Sequence, residues 1–310
     1  MSKILYGDAL ECLKTIPDNS VNMCVTSPPY YGLRDYGIDE QIGMEVSPVR
    51  YIEKLVCIFR EIQRILKNDG TLWVNIADSY AGSIKSRIKL SDNAEIAKEW
   101  QGIKSKDMLG IPWSLAFALR DDGWYLRSDI IWQKSNCMPE SVKDRPTKSY
   151  EHIFLLSKSN HYYYDYEAIP ESVTQGSIER AKRGVSDKGK YAKGITGQNM
   201  QALFMARPNS AERYMRNKRD VWTISTNSYR IKGHFAVYPE KLIEPCILAG
   251  CPVGGVVIDP FFGSGTTGAV AKKLGREYIG IDINPEYCTM SENRINNVIS
   301  LTCLLYTSDA

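Results

Sequence analysis

A glycine-rich loop near the C-terminus constrains the fold more than any other stretch of this chain. Three glycines follow a short apolar run and precede a helical pattern: Gly263, Gly265 and Gly268. A strand, a glycine loop and a helix in this order are typical of open α/β sheets that bind a ligand at a strand end, because glycine lets the backbone approach the ligand closely. Since one such β-α-β unit remains before the C-terminus, we expect the N-terminal half to supply the other strands.

Acidic residues around this loop narrow the class of ligand. Asp282 ends the next predicted strand, where a carboxylate can bind both hydroxyls of a ribose. A nicotinamide-dependent dehydrogenase is therefore one interpretation. Asp259, however, directly precedes Pro260 and the glycines, where its charge repels a pyrophosphate. A ligand that carries an ammonium group, such as the methionine part of S-adenosylmethionine, suits this position better.

A second stretch, Ser27-Pro28-Pro29-Tyr30, carries the other chemical signal. It follows an apolar run, residues 21–25, that predicts a buried strand. The two prolines restrict the backbone and remove two N–H donors, which leaves the Ser27 hydroxyl and the neighbouring carbonyls as acceptors. With the Tyr30 ring beside them, these acceptors suit a planar group that carries an NH2. A plain proline-rich surface turn is the alternative.

Strand and helix patterns alternate through the N-terminal part of the chain. Apolar runs at 4–8, 21–25 and 71–76 predict strands, and an amphipathic pattern over 48–67 predicts a helix. This alternation predicts an α/β fold. The polar segment 79–107 interrupts it, and we predict that this segment forms a mobile loop near the site.

Residues 176–232 form a basic region. They contain 13 Lys and Arg against four Asp and Glu, a net charge of +9, whereas the whole chain carries +3. Aromatic residues are interleaved with the charges, among them Phe204, Tyr214 and Trp222. Basic side chains neutralise phosphates and aromatic rings reach bases, so this region predicts a nucleic-acid-binding surface. A solvated basic loop is the alternative.

Cysteine and histidine usage argues against a metal site. The eight cysteines are scattered without a Cys-x-x-Cys pair, and the chain has three histidines. The sequence shows neither a signal-peptide core nor an apolar run of transmembrane length, so we expect a cytoplasmic protein without a membrane partner. Residues 301–310 continue no pattern, and we interpret them as a tail, native or not, outside the functional chain.

The order of these motifs resembles the permuted, β-type family of amino-group DNA methyltransferases, which modify cytosine N4 or adenine N6. The catalytic turn comes first and the cofactor loop last, as in that family. Shorter matches lie at Gly7-Asp8, Leu66–Gly70, Asp129–Lys134, Arg145–Glu151 and His234–Pro239. The resemblance implies a Rossmann-like, S-adenosylmethionine-dependent methyltransferase fold with a circularly permuted, mostly parallel sheet of seven strands.

The same resemblance divides the chain and assigns the site. It implies a catalytic half at 1–165, a target-recognition insertion at 166–232 and a cofactor-binding half at 233–300. The implied catalytic residues are Ser27, Pro28, Pro29 and Tyr30: Ser27 and the Pro28 carbonyl accept hydrogen bonds from the target amine, and Tyr30 stacks on a flipped base. The implied cofactor-binding residues are Asp259, Pro260, Phe261, Gly263, Gly265, Thr266, Asp282, Asp8 and His234. No metal is implied.

Ser27 also bears on the target base. In this family, serine at that position is mostly associated with N4-cytosine enzymes and aspartate with adenine enzymes, so the resemblance favours cytosine N4, with adenine N6 as the alternative. Carbon-5 methylation needs a cysteine nucleophile, and Cys246 follows Pro245 but lies in a helical run. A methyltransferase for RNA or small molecules and a non-catalytic DNA-binding module are the other open alternatives.

The resemblance further implies the partners. We expect double-stranded DNA as the substrate, a cognate restriction endonuclease as a functional partner, and a monomer or homodimer encoded by a bacterium, an archaeon or a phage. Four charged residues lie between the two main motifs: Lys134, Asp144, Arg145 and Glu151. One interpretation is that they support the base pocket or contact phosphates, and the alternative is that they form ordinary ion pairs within loops.

Overall fold

The computed structural model describes residues 2–33, 41–81, 99–173, 176, 215–226 and 238–298. Its strands are β1 Lys3–Tyr6, β2 Val21–Thr26, β3 Leu66–Ile76, β4 Tyr125–Gln133, β5 Tyr150–Ser157, β6 Glu171–Ser172, β7 Met215–Arg216, β8 Val221–Thr223, β9 Val256–Asp259 and β10 Glu277–Asp282. Its helices are α1 Ala9–Lys14, α2 Pro48–Ile65, α3 Ile111–Asp121, α4 Glu240–Gly250, α5 Thr266–Lys273 and α6 Pro285–Asn296. Among the described residues, none of these helices is long and apolar enough to cross a bilayer.

Eight of the strands form one sheet, in the order β1-β10-β9-β2-β3-β5-β4-β8. The pairing is parallel from β1 across to β3, antiparallel where β5 meets β3 and β4, and parallel again between β4 and β8. Strands and helices alternate along the chain, as a doubly wound architecture requires. The predicted α/β, mostly parallel fold is therefore confirmed.

The sheet has eight strands in the described chain, whereas seven were predicted. The additional strand, β8, lies at one edge of the sheet and within the basic region. A pattern of three strand residues is not recognisable there among the charged residues. Its central residue, Trp222, is 5% exposed and pairs with Trp132 of β4. The Trp132 indole N–H donates to the Ile224 carbonyl at 2.9 Å. Burial of a large aromatic side chain, rather than local composition, holds this strand in the sheet.

Strands β2 and β9 are neighbours although they come from opposite ends of the chain. Met23 pairs with Val257, and Cys24 pairs with Ile258, in parallel register. Because the carboxyl ends of parallel strands meet at one edge of a sheet, the loops that follow β2 and β9 lie side by side. The two stretches that carry the chemical signals in the sequence are thereby brought together.

Helix α2 shows how local sequence positions one of these loops. Ser47 caps the helix by accepting a hydrogen bond from the Arg50 N–H at 3.2 Å, and Pro48 occupies its first turn. Apolar residues at helical spacing form its buried face, as the amphipathic pattern predicted: Tyr51, Leu55, Phe59 and Ile62, each fully buried. Tyr51 belongs to this face and reaches the turn after β2.

The ends of the polar segment 79–107 are joined by backbone hydrogen bonds. Ala81 N–H donates to the Asp107 carbonyl at 2.9 Å, and Leu109 N–H donates to the Ser79 carbonyl at 2.9 Å. Residues 82–98, on which the prediction of a mobile loop mainly rests, lie outside the described residues. That prediction stays untested.

The chain divides into two compact units. One comprises the described residues up to Asp165 and from Asp220 onward, with the eight-stranded sheet. The other, Tyr166–Arg219, contains the antiparallel pair of strands β6 and β7, and there Arg216 and Arg219 both bond to the Glu171 carboxylate. The insertion predicted at 166–232 thus differs from this unit at its C-terminal end, because β8 belongs to the main sheet.

We expect Gly280→Ala in β10 to destabilise the protein. An added Cβ would lie 2.3 Å from Phe262 Cδ1, and Phe262 is 3% exposed, so the ring and the strand would both have to shift. Overpacking of this kind costs about 1–3 kcal/mol, which urea denaturation would show as a lower midpoint. Combining it with Phe262→Ala removes the ring atoms that the added Cβ would meet, so the double variant should lose less stability than the two single losses added together. Strictly additive losses would contradict the overpacking account.

Candidate active site

The turn after β2 is fixed by its surroundings. The Tyr51 hydroxyl donates to the Pro29 carbonyl at 2.8 Å, and Gly32 N–H donates to the Gly43 carbonyl at 2.7 Å. Gly43 adopts φ +100°, and a Cβ there would lie 3.0 Å from the Tyr30 carbonyl oxygen, so glycine is required for this close approach. The turn is consequently held from two sides.

Tyr30 connects the turn to a buried polar network. Its hydroxyl donates to Glu151 Oε2 at 2.6 Å and lies 3.4 Å from Ser27 Oγ. The Asn75 amide donates to the same carboxylate oxygen at 3.1 Å, and the Lys134 ammonium pairs with the other. Burial and the charge of Glu151 hold the pKa of Tyr30 well above its usual value, so its phenol stays a donor. The network fixes the ring at the edge of the turn.

A cavity of about 1070 Å³ opens beside this network. Tyr30, Lys134 and Glu151 form part of its wall. Lys148 also lines it and donates to the Asp78 carbonyl at 2.6 Å; burial lowers the pKa of this lysine. The volume is sufficient for a small molecule or a nucleobase with its sugar.

The glycine loop begins where β9 ends. Gly263 and Gly265 have φ values of +50° and +73°, in the region that favours glycine. The loop is tied to β10: Phe262 N–H donates to the Ile281 carbonyl at 2.9 Å, and Gly263 N–H donates to Asp282 Oδ2 at 2.7 Å. The loop therefore wraps around the end of β10 and presents its backbone at the same edge as the turn after β2.

Asp259 joins the two loops. Its Oδ1 accepts hydrogen bonds from the Thr26 hydroxyl at 2.6 Å and from Phe261 N–H at 3.0 Å. Its Oδ2 lies 2.6 Å from Thr267 Oγ1 and 2.8 Å from Tyr238 Oη. The side chain is 1% exposed, and this burial raises its pKa although the hydrogen bonds oppose the shift. A carboxylate at the end of β9 thus bonds directly to the residue that precedes Ser27.

Comparison with known proteins shows the family to which this chain belongs. The family model for N6/N4 DNA methylases matches residues 21–293. The chain belongs to the N6/N4 DNA methylase family. A type II methyltransferase of Citrobacter freundii, M.Cfr9I, is 46% identical over 94% of this chain and 87% of its own length, and M.SmaI of Serratia marcescens is 45% identical over 94% and 90%.

Solved structures show the same fold. The cytosine-N4-specific PvuII DNA methyltransferase covers 98% of this chain and 89% of its own with a TM-score of 0.63 at 20% identity. A DNA modification methylase of Thermus thermophilus, solved with S-adenosylmethionine, covers 96% and 95% with a TM-score of 0.59 at 21% identity. The protein is a DNA methylase with a methyltransferase fold, and its methyl donor is S-adenosylmethionine.

The chemistry of the glycine loop fits that donor. Asp259 and Asp282 end neighbouring strands, with Gly280 of β10 paired to Asp259 of β9. Burial raises the pKa of Asp282, and the charge of Asp259 adds to this effect. Two carboxylates so close together disfavour a pyrophosphate and favour a ligand with cationic sulfur and ammonium groups. Asp282 would face the donor, since its carboxyl group is only partly buried.

The structure brings most of the predicted site residues of the methylase to one edge of the sheet. Pro260 is buried, Phe261 packs against the core, and the Thr266 hydroxyl accepts from Arg294 Nη1 at 2.7 Å. Asp8 is exposed and caps α1 by accepting from the Glu11 N–H at 3.1 Å. Gly7, beside it, donates to the Asp282 carbonyl at 3.0 Å.

His234 lies outside the described residues. The assignment of the predicted residues to catalysis and to cofactor binding stays a prediction. Cys246, the residue weighed for carbon-5 chemistry, is 1% exposed within α4 and its thiol contacts the Leu242 carbonyl.

Sequence reasoning missed the residues that hold the site together. Tyr51 and Asn75 act through hydrogen bonds to partners 22 and 76 residues away in the chain. Thr26 precedes the catalytic turn and Tyr238 lies in a matched motif, yet neither pattern indicates Asp259 as the shared partner. A buried threonine at the polar end of an otherwise apolar strand is the one signal that the sequence offered.

We expect Asp282→Asn to change how the stability of the cofactor-free methylase depends on pH. The pKa of Asp282 is raised in the folded state above the unfolded value of about 3.9, so its carboxyl group contributes stability that is fully present below that pH. This contribution is lost as the pH rises through the folded-state pKa. The free energy of unfolding of the wild type, minus that of the variant, should therefore fall as the pH rises above about 4. Urea denaturation at several pH values measures it, and a constant difference would contradict the raised pKa.

Proposed function

We propose that this DNA methylase transfers the methyl group of S-adenosylmethionine to the N4 amine of a flipped cytosine at a specific site in duplex DNA. The position of Ser27 supports this proposal most directly. Its hydroxyl lies 3.4 Å from the hydroxyl of Tyr30, a residue that lines the cavity, and the residue before Ser27 is bonded to the glycine-loop acid. The cytosine-N4 specificity of the PvuII enzyme, which shares the fold, agrees with this base.

The turn offers two acceptors to the two N–H groups of the amine. One is the Ser27 hydroxyl. The Pro29 carbonyl already accepts a hydrogen bond from Tyr51, so we assign the second role to the Pro28 carbonyl. S-adenosylmethionine, when bound, supplies a methyl carbon whose bond to sulfur breaks as the bond to nitrogen forms. Positive charge grows on the amine in that step, and acceptors that are already in place stabilise it. The amine then loses a proton to water, so no strong base is needed.

Tyr30 positions the base in this proposal. Its hydroxyl is held by Glu151 and Asn75, which leaves the ring rigid at the cavity wall. A flat aromatic face is a suitable surface for a base that has left the helical stack, a step that costs a few kcal/mol. A rigid ring lowers the entropy lost when the base is ordered.

The relatives support a proposal about the cellular setting. We propose that the methylase acts in the cytoplasm beside a cognate restriction endonuclease, because M.Cfr9I and M.SmaI are type II methyltransferases. Plasmid DNA from cells that express the methylase should then resist an endonuclease that reads the same site. Full cleavage of that DNA at every modified site would contradict this role.

We expect Ser27→Ala to lower kcat by roughly 100- to 1000-fold, because it removes one preorganised acceptor from the developing charge. The affinity for S-adenosylmethionine, measured by calorimetry, should stay at the wild-type value. Ser20→Ala is the matched control: Ser20 bonds to the Pro17 carbonyl near the opposite end of β2, so its loss should leave kcat unchanged. A Ser27→Ala enzyme with wild-type kcat would remove Ser27 from the mechanism.

Plasmid DNA methylated in cells also shows which base the methylase modifies. Nucleosides from plasmid DNA methylated in cells should contain N4-methylcytosine when analysed by mass spectrometry, and single-molecule sequencing should place it at one recurring sequence. Predominant N6-methyladenine would overturn the choice of base while leaving the amino-methyltransferase assignment intact. Methylation of RNA in place of DNA would overturn the substrate.

A further inference from the structure

The hydrogen bond between Thr26 and Asp259 continues the contact between β2 and β9 beyond their backbone pairing. The two strands pair at Met23↔Val257 and Cys24↔Ile258. Past those pairs the chains diverge into the catalytic turn and the glycine loop. The Thr26 Oγ1–Asp259 Oδ1 bond, 2.6 Å long, then connects the two loops directly. Thr26 is fully buried and Asp259 is 1% exposed, so the bond is shielded from water.

We propose that Thr26 and Asp259 are positioning residues, which set the separation between the amine acceptors at Ser27 and the methyl donor on the glycine loop. In this role Asp259 does not ligate the donor. This inference rests on the proposed function in one respect only, namely that Ser27 accepts the reacting amine. It does not depend on whether the base is cytosine or adenine.

The hydrogen-bond donors around the Asp259 carboxylate favour a positioning role for this residue over ligand binding. A carboxylate offers about four acceptor sites. Four protein groups already lie within hydrogen-bond distance, two at each oxygen: Thr26 and the Phe261 N–H at Oδ1, Thr267 and Tyr238 at Oδ2. A ligand ammonium would have to displace one of them and enter a site with almost no exposed surface. Asp282, which is only partly buried, is the better group to meet the ligand.

The four hydrogen-bond donors come from different parts of the chain, and this distinguishes Thr26 from the other three. Phe261, Thr267 and Tyr238 all belong to the C-terminal part of the chain, and they orient the carboxylate relative to the glycine loop. Thr26 belongs to the N-terminal part. Its hydroxyl therefore transmits the position of the carboxylate to the catalytic turn, one residue before Ser27.

Two isosteric variants separate this role from simple stabilisation. Thr26→Val and Thr267→Val each remove one hydroxyl from the same buried carboxylate, and both threonines are buried to 1% exposure or less. Valine keeps the shape of threonine, and at position 26 it also suits the end of a strand. The Thr267 hydroxyl also contacts the Tyr238 hydroxyl, so Thr267→Val should lose at least as much stability as Thr26→Val in urea denaturation. Only Thr26→Val breaks the connection between the two loops.

The expected result is a fall in kcat of about 10- to 100-fold for Thr26→Val, the size of effect that a displacement near 1 Å produces, with unchanged affinity for S-adenosylmethionine in calorimetry. Thr267→Val should keep kcat within about threefold of its wild-type value, because its bond lies within the cofactor half. Thr26→Ser restores the hydroxyl and should restore kcat even if Thr26→Val folds poorly. Methyl transfer is counted from labelled donor, so the result does not depend on which base is modified.

Four outcomes would overturn the inference. Wild-type kcat in Thr26→Val would show that the bond does not position the turn. Equal losses of kcat in Thr26→Val and Thr267→Val would assign both to general stability. Loss of affinity for S-adenosylmethionine in Thr26→Val would point to a role in cofactor binding instead. Failure of Thr26→Ser to recover kcat would point to packing of the threonine methyl group. The base found in wild-type product tests the proposed function separately.

Discussion

The parallel pairing of β2 with β9 is the contact on which the rest of the site depends. It brings together two loops that are separated by most of the chain. The entropy lost on closing a long loop grows only with the logarithm of its length, by about 0.6 kcal/mol for each doubling. A large distance in sequence is therefore a small obstacle, and the sheet accepts strands from either end of the chain. The adjacency of the strand ends, not the order of the motifs, makes the site.

Buried acids then fix both loops, although a buried charge is costly unless it is well hydrogen-bonded. Asp259 is satisfied by groups from β2, from the glycine loop and from α5, so its burial is favourable only when all three are in place. Glu151 is 6% exposed and lies on the side of β2 opposite to β9. Its carboxylate is satisfied in the same way, by Tyr30, Asn75 and Lys134. Each acid couples the position of a functional loop to the folding of the sheet.

The sequence allowed the fold to be predicted because strand and helix periodicities were strong along most of the chain. The strand at 21–25 and the helix at 48–67 were located to within a few residues of β2 and α2. The edge strand β8 was missed, since its three residues lie among basic side chains and Trp222 is recognised as a core residue only when β4 is beside it. Asp259 was predicted to line the donor site, and nothing local in the sequence identifies Thr26 and Tyr238 as its hydrogen-bond partners. Residue types thus predicted which two loops lie together, whereas long-range pairing decided the contacts between them.

The order of strands also explains how Ser27 is positioned for the role that we propose for it. In the sheet, β2 lies between β9 on one side and β3 followed by β5 on the other. The residue before Ser27 bonds to the acid at the end of β9, and the tyrosine three residues after it bonds to the acid of β5. The turn is therefore held at both ends by groups from opposite sides of β2, while its prolines restrict the backbone between them. A hydroxyl held in this way need not reorganise as charge develops on the attacking amine, which is the condition under which an acceptor accelerates the reaction.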